Sequence, residues 1–251
     1  MSSHRSCDKL LQRVTESNGD FAEHSVKLAH EHYLDLWLGL YEYDSYKRWL
    51  FGKVVIPLLN EYLKEGEKVL EIGCSKGYLL RELEGQTRTS VGVDISLTAL
   101  GSAKSNGALI VRADGETLPF ASDSFGGVLA IHTLEHLPSP LMAIQEAYRA
   151  LRDGGLFLGI TPNRTSWFSK IAARKMKYTS LKNPYHIGLM DRDTLDHYVL
   201  EAGFRIHRIL PFHNGLLGLP KLQKYFRRTF LPLSRRILIP NAHHQLVIAL
   251  K

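Results

Sequence analysis

Residues 69–77 read Val69-Leu70-Glu71-Ile72-Gly73-Cys74-Ser75-Lys76-Gly77. Two patterns fit them. Gly73, Ser75 and Gly77 have the G-x-S-x-G spacing of a nucleophile elbow, the sharp turn that lifts a serine above a sheet. Glu71, Gly73 and Gly77 have the E-x-G-x-x-x-G spacing of a loop whose glycines let backbone approach a bound cofactor closely. Either way a tight turn joins a strand to a helix, so the surrounding chain decides between them.

Outward from this loop, short β-rich runs alternate with helical ones. Stretches 68–72, 89–93, 108–112, 126–131 and 156–161 read as strands, followed by 204–210 and 245–250. Stretches 78–83, 97–104, 139–151 and 195–201 read as helices, the third stopped by Gly154-Gly155. Such alternation predicts an α/β fold, a doubly wound and mostly parallel seven-stranded sheet. Upstream, 21–63 carries apolar and aromatic residues at helical spacing, among them Leu34, Trp37, Leu38 and Tyr41. The predicted organisation is an N-terminal helical cap over 1–64 and a sheet domain over 65–251. Two basic insertions interrupt that domain at about 163–189 and 211–241.

This order weighs against the elbow. A nucleophile elbow follows a central strand of an established sheet, whereas here the loop follows the first convincing strand. Downstream histidines are numerous enough to complete a triad, so they do not discriminate. A dinucleotide-binding G-x-G-x-x-G would need a glycine where Tyr78 stands. The cofactor loop explains more. Asp94 ends the second strand, 23 residues after Glu71, where a carboxylate accepts hydrogen bonds from ribose hydroxyls. Asp114 follows the third strand, in position to accept from an adenine amino group.

The stretches VLEIGCSKG, GVDIS, ADGETLPFASDSF, LAIHTLEHL, ALRDGGLFLGITPNR, NPYH and LEAGF follow in order across about residues 66–210. In these seven segments the chain resembles the class I S-adenosylmethionine-dependent methyltransferases, in their UbiE/UbiG-like small-molecule branch. The resemblance implies a Rossmann-like fold and S-adenosyl-L-methionine as cofactor. It implies that Glu71, Gly73, Cys74, Ser75 and Gly77 hold the methionine part, and that Asp94 and Ile95 hold the ribose. Asp114 would meet the adenine, flanked by Ala113 and Gly115, and His132 would end the strand beneath the sulfonium. Three positions depart from the family pattern. Ser75 replaces the usual middle glycine, which is tolerable if its φ is negative. Gly126 stands where an aspartate is usual, and Asp153 where a proline is common.

Methyl transfer from a sulfonium is an in-line displacement that needs an aligned acceptor and, for a hydroxyl, a base. Candidate bases follow the fourth and fifth strands, at the carboxyl edge where such sheets place ligands. They are His132, Glu135, His136, Tyr185 and His186, with His186 preferred for proton transfer or substrate contact. Glu135 and His136 supply two metal ligands, too few to predict a metal, and none is expected. His24, His30 and His32 read as a solvated helix face, His243 and His244 as structural. Tyr33, Trp37, Tyr41 and Tyr46 read as core or as cover for the cofactor.

The 251 residues, 44% of them hydrophobic, suit one compact domain with additions. Two cysteines, Cys7 and Cys74, give no disulfide framework. The polar start lacks the apolar run of a signal peptide, and no stretch has bilayer length, so a cytoplasmic protein is expected. The net charge of +7 is uneven. Residues 1–153 carry 16 Lys/Arg against 21 Asp/Glu, whereas 154–251 carry 16 against 4, or −5 and +12. Such asymmetry points the C-terminal half at a phosphate-bearing, acidic or membrane-surface partner. Within 220–236, Leu222, Tyr225, Phe226 and Phe230 share one helical face, and Lys221, Lys224 and Arg228 the other. This predicts an amphipathic lid over the substrate that also touches anionic membrane peripherally. The expected function is methylation, of oxygen by preference, on a small-molecule or lipid-linked acceptor. RNA methylation is the rival reading of the basic half, disfavoured because no RNA-binding module is recognisable. A cofactor-binding scaffold without catalysis is disfavoured by intact Glu71, Asp94 and Asp114.

Overall fold

The computed structural model describes residues 45–84, 86, 88–105, 107–166, 170, 183, 185–212 and 244–251. The predicted helix over 220–236, the residues from His24 to Tyr41, and most of both basic insertions lie outside them. Helix α1 (Ser45–Leu50) runs through a π-helical turn (Phe51–Val55) into α2 (Ile56–Tyr62). Pro57 begins the first turn of α2. It has no N–H to offer the carbonyl four residues back, and the helix widens over that stretch. Leu50, Phe51, Val55, Leu59 and Leu63 form one buried stripe along the pair.

Seven strands then build a single sheet: β1 (Val69–Ile72), β2 (Ser90–Asp94), β3 (Leu109–Arg112), β4 (Phe125–Ile131), β5 (Leu151–Pro162), β6 (Ile206–Phe212) and β7 (His244–Leu250). Their spatial order is β3-β2-β1-β4-β5-β7-β6. β1 to β5 are mutually parallel, and β7 runs antiparallel between β5 and β6. The predicted doubly wound, mostly parallel seven-stranded sheet is what the chain forms. Intervening helices are α3 (Tyr78–Glu84), α4 (Leu97–Ser105), α5 (Pro140–Ala150) and α6 (Arg192–Glu201).

Alternation along each strand feeds two cores. Val128 and Phe157 pack with Ala143, Ile144 and Ala147 of α5 and with Leu195 and Val199 of α6. Their strand neighbours Leu129, Leu156 and Leu158 pack with Leu79 and Leu83 of α3 and with the α1–α2 stripe. The described part of the predicted N-terminal cap therefore shares a core with the sheet. Among the described residues, no helix is long and apolar enough to cross a membrane.

Element boundaries shift from the sequence reading, and two of the shifts have a clear cause. The helix expected over 139–151 ends at Ala150, and Leu151 already pairs with Phe125 in the sheet. Gly154 and Gly155 do not cap it; they sit in an irregular stretch of β5, where the next pairing joins Gly127 to Leu156. There the Gly154 N–H donates to the Lys251 carbonyl, and the Lys251 N–H to the Gly155 carbonyl. Helix α6 begins at Arg192, earlier than residue 195, because the Asp191 carboxylate accepts from the Thr194 N–H at 3.0 Å and caps it.

Candidate active site

The strand order reverses between β1 and β4, so the loops leaving their carboxyl ends part and open a crevice. The loop after β1 forms one wall. Gly73 and Gly77 have φ of +73° and +70°, and Ser75 has φ of +49°. Ser75 thus does not meet the condition of negative φ, and its tolerance needs another source. Its left-handed strain is offset because its N–H donates to Asp94 Oδ2 at 2.8 Å. An elbow-like turn at Ser75 is present, but it follows the first strand of the sheet rather than a later one. Gly73 is held to glycine a second way, since a Cβ there would lie 2.4 Å from Thr133 Oγ1. Thr133, unremarked in the sequence, donates that hydroxyl to the Ile72 carbonyl at 2.9 Å and staples the ends of β4 and β1.

Glu71 is a buried acid within β1, and its Oε2 meets no hydrogen-bond partner among the described residues. Burial raises its pKa well above the ordinary range; the charge of Asp94 adds to this, and Lys47 of α1 opposes it. Cys74 turns its side chain into the core beside Leu80 and Leu100, so only its backbone faces the loop. Burial also pushes its thiol well up, which disfavours a thiolate. Asp94 accepts from the Ser96 N–H at 2.9 Å as well as from Ser75. Helix α4 is capped by the Ser96 hydroxyl, not by Asp94. Ile95 is half-buried beside it, with its carbonyl taking Arg112 Nε at 3.2 Å. Asp114 turns back on its own loop, accepting from the Glu116 N–H. Gly115 presses against Ile72, where a Cβ would fall 2.7 Å from Cγ2, and half-buried Ala113 lies between β3 and Asp114. Glu71, the loop, Asp94 and 113–115 therefore ring the carboxyl ends of β1, β2 and β3. S-adenosylmethionine fits this ring: it carries ammonium and sulfonium cations for a buried carboxyl lacking a partner, and hydroxyls for Asp94.

The opposite wall carries histidines. His132 leaves β4 at φ +56°, a conformation that costs a non-glycine residue roughly 1–3 kcal/mol. Its N–H donates to the Ile160 carbonyl at 2.7 Å, and its Nδ1 lies 3.4 Å from Glu135 Oε1. His244, which opens β7, packs edge-on to the His132 ring at 4.9 Å. Glu135 is 1% exposed. Burial alone would raise its pKa, but the hydrogen bond from His132 and the charges of His132, His136 and His186 hold it below the usual range. Thr161 Oγ1 donates to Glu135 Oε2 at 3.2 Å.

His186 comes to this wall from a loop distant in sequence. Its ring meets that of His136 at 4.7 Å and 85°. Glu135, His136 and His186 bring one ligand-type atom each to within 4.8 Å of one another. Tyr185 is buried and serves through its backbone, its carbonyl 3.2 Å from His136 Nδ1. The four predicted catalytic residues, His132, His136, Tyr185 and His186, are thus brought together, with Glu135 at their centre. Thr161 and His244 join them, and nothing local in the sequence marks either.

The sequence profile of a family described as methyltransferase domain matches residues 44–209, more than half of the chain. A probable S-adenosylmethionine-dependent methyltransferase of Mycolicibacterium smegmatis is 29% identical over 159 residues, 62% of this chain and 59% of that protein. A rice chloroplast enzyme named for 2-methyl-6-phytyl-1,4-hydroquinone is 30% identical over 122 residues, 45% of this chain and 36% of that one. The chain thus spans well under two thirds of the length of these curated relatives. A solved Thermotoga maritima methyltransferase superposes with a TM-score of 0.61 at 18% identity, covering 88% of this chain and 99% of that one.

Proposed function

From the premise that this chain belongs to the S-adenosylmethionine-dependent methyltransferase family, we propose that it methylates a hydroxyl oxygen of a small or lipid-linked acceptor. The carrying observation is the buried Glu135 among His132, His136 and His186 at the carboxyl end of β4, the strand beside β1 and its loop. When bound, the cofactor supplies an electrophilic methyl group on a sulfonium. The Gly73–Gly77 turn and Asp94 orient it, and Glu71 balances its positive charge. Glu135 engages His132 through Nδ1 and so orients the imidazole as the base for the acceptor's proton. The Glu135–His132 pair is stabilised as the imidazole becomes charged, the role a buried carboxylate plays beside a general base. The rice relative, named for a hydroquinone with a phytyl chain, supports a phenolic acceptor carrying a lipid tail. The predicted basic face of 220–236 would hold such an acceptor's membrane, with the enzyme working from the cytoplasm.

Calorimetry tests the cofactor half. Wild type binds S-adenosylmethionine, and Asp94→Ala weakens binding by roughly 1.5–3 kcal/mol, the loss of charged hydrogen bonds. Folded wild type that binds no cofactor would refute the reading. For the acceptor half, mass spectrometry of phenols and polyprenyl-linked phenols incubated with enzyme should show a gain of one methyl on oxygen. His132→Ala should lower that turnover about 100-fold while sparing cofactor affinity.

A further inference from the structure

We propose that Glu135, His136 and His186 form a binding site for a divalent transition cation of the zinc class, placed to take the acceptor's oxygen as a further ligand. The acceptor's part rests on the methyl-transfer reading above; the cation site does not.

Three ligand-type atoms already lie within 4.8 Å of one another. Around a tetrahedral cation with bonds of 2.0–2.1 Å such atoms sit roughly 3.4 Å apart. Closing that gap takes small rotations of two imidazoles and one carboxylate. The rings are placed for it. His136 and His186 stand edge to face with centres 4.7 Å apart, and two imidazoles sharing a cation have centres roughly 5 Å apart.

Tautomer and charge point the same way. The Tyr185 carbonyl can only accept, so His136 Nδ1 carries the proton in their 3.2 Å contact, which assigns the ligating role to Nε2. A backbone carbonyl holding the second nitrogen is the usual support of a ligating histidine. Glu135 is 1% exposed and meets imidazoles and the Thr161 hydroxyl. A divalent cation would balance this buried carboxylate directly.

The two ligating segments are also locked together. The Gly188 N–H donates to the Glu135 carbonyl at 2.9 Å. A Cβ at Gly188 would lie 2.5 Å from the Leu137 carbonyl and 2.6 Å from that of Leu134, so the loop carrying His186 approaches as closely as backbone allows. Two imidazoles and one carboxylate suit zinc, iron(II) or cobalt(II) better than magnesium, which prefers an all-oxygen shell. Three protein ligands leave a position open, as catalytic sites do. An acceptor hydroxyl bound there sheds its proton more readily. The proton passes to His132, the oxygen's electron pair forms the new bond to the methyl carbon, and the pair of the breaking carbon–sulfur bond stays on sulfur.

Cobalt(II) titration of untagged, chelator-treated full-length protein tests the site by its visible absorption, with zinc as competitor. The expected result is one cobalt(II) per chain, displaced by zinc and not by an equal concentration of magnesium. Glu135→Gln, His136→Ala and His186→Ala should each weaken zinc binding by about 10–100-fold. Calorimetric affinity for S-adenosylmethionine should stay within about twofold in all three. Wild type that takes up neither metal would overturn the proposal, as would uptake undiminished in all three variants, which would place the metal at other histidines. Displacement by magnesium would overturn the assigned class of cation. Metal binding in a protein that binds no S-adenosylmethionine would refute the methyl-transfer reading and leave the cation site standing.

Discussion

Glu71 occupies a strand position at which both sequence neighbours, Leu70 and Ile72, are fully apolar and buried. Its raised pKa comes first from burial and then from Asp94. An acid whose folded pKa exceeds its unfolded one binds its proton more tightly when folded. Without cofactor, Glu71's own contribution to stability is therefore greatest below the unfolded carboxylate pKa of about 4.3 and declines above it, by about 1.4 kcal/mol per pH unit, until its folded pKa is passed. Glu71→Gln removes this penalty. The variant's advantage in thermal denaturation over wild type should grow between pH 4 and pH 8, while its affinity for the cofactor falls. A pH-independent difference would show that folding leaves the Glu71 carboxyl's proton affinity unchanged. His132 is the other strained point, a left-handed residue at the end of β4. Strain of this kind persists only where surrounding bonds over-determine it, and here Ile160 and Glu135 do so.

Elements differ in how plainly the sequence shows them. The strands are legible because a parallel sheet covered on both faces needs nearly continuous apolar runs. LFLGIT and GGVLAI are such runs. Helix starts are less legible, because they depend on one side chain. Asp191 carries the start of α6, and its carboxyl is pulled down to about 2 first by Arg164 and then by Thr194. Asp191→Ala should cost about 1 kcal/mol, the usual worth of such a cap. Because the depressed group stabilises above its unfolded pKa, the deficit should shrink as pH falls from 4 to 2, read by urea denaturation. Ser75 shows why a loop is harder still. Its φ is set by Asp94, whose carboxylate belongs to another strand, and no spacing within 69–77 encodes that. The cofactor wall was readable from motifs lying at strand ends. The histidine wall was readable as candidates only, since His186 joins Glu135 through the close approach of Gly188, a fact of tertiary packing.

At the scale of the whole molecule the uneven charge dominates. The half from residue 154 carries +12 and the preceding part −5, from 16 Lys/Arg against 4 Asp/Glu and 16 against 21. Each basic residue near an anionic bilayer contributes about 1 kcal/mol, and salt screens that attraction over about 8–10 Å. Wild type should cosediment with anionic liposomes at low salt, and replacing Lys221, Lys224, Arg227 and Arg228 by Gln should abolish it. Equal binding to neutral liposomes would assign the contact to apolar residues, and salt-sensitive binding to RNA alone would favour nucleic acid as the partner. The Thr133 staple between β1 and β4 has a wider bearing. It ties the wall after β1 to the histidine wall after β4, so on the methyl-transfer reading the distance between donor and acceptor is set by the sheet. On that same reading, what is left to choose the acceptor is sequence beyond the two walls, as in the basic stretch 211–241. Sequence drift there can retune what is methylated while the cofactor's seat stays unchanged, much as one engine accepts many attachments.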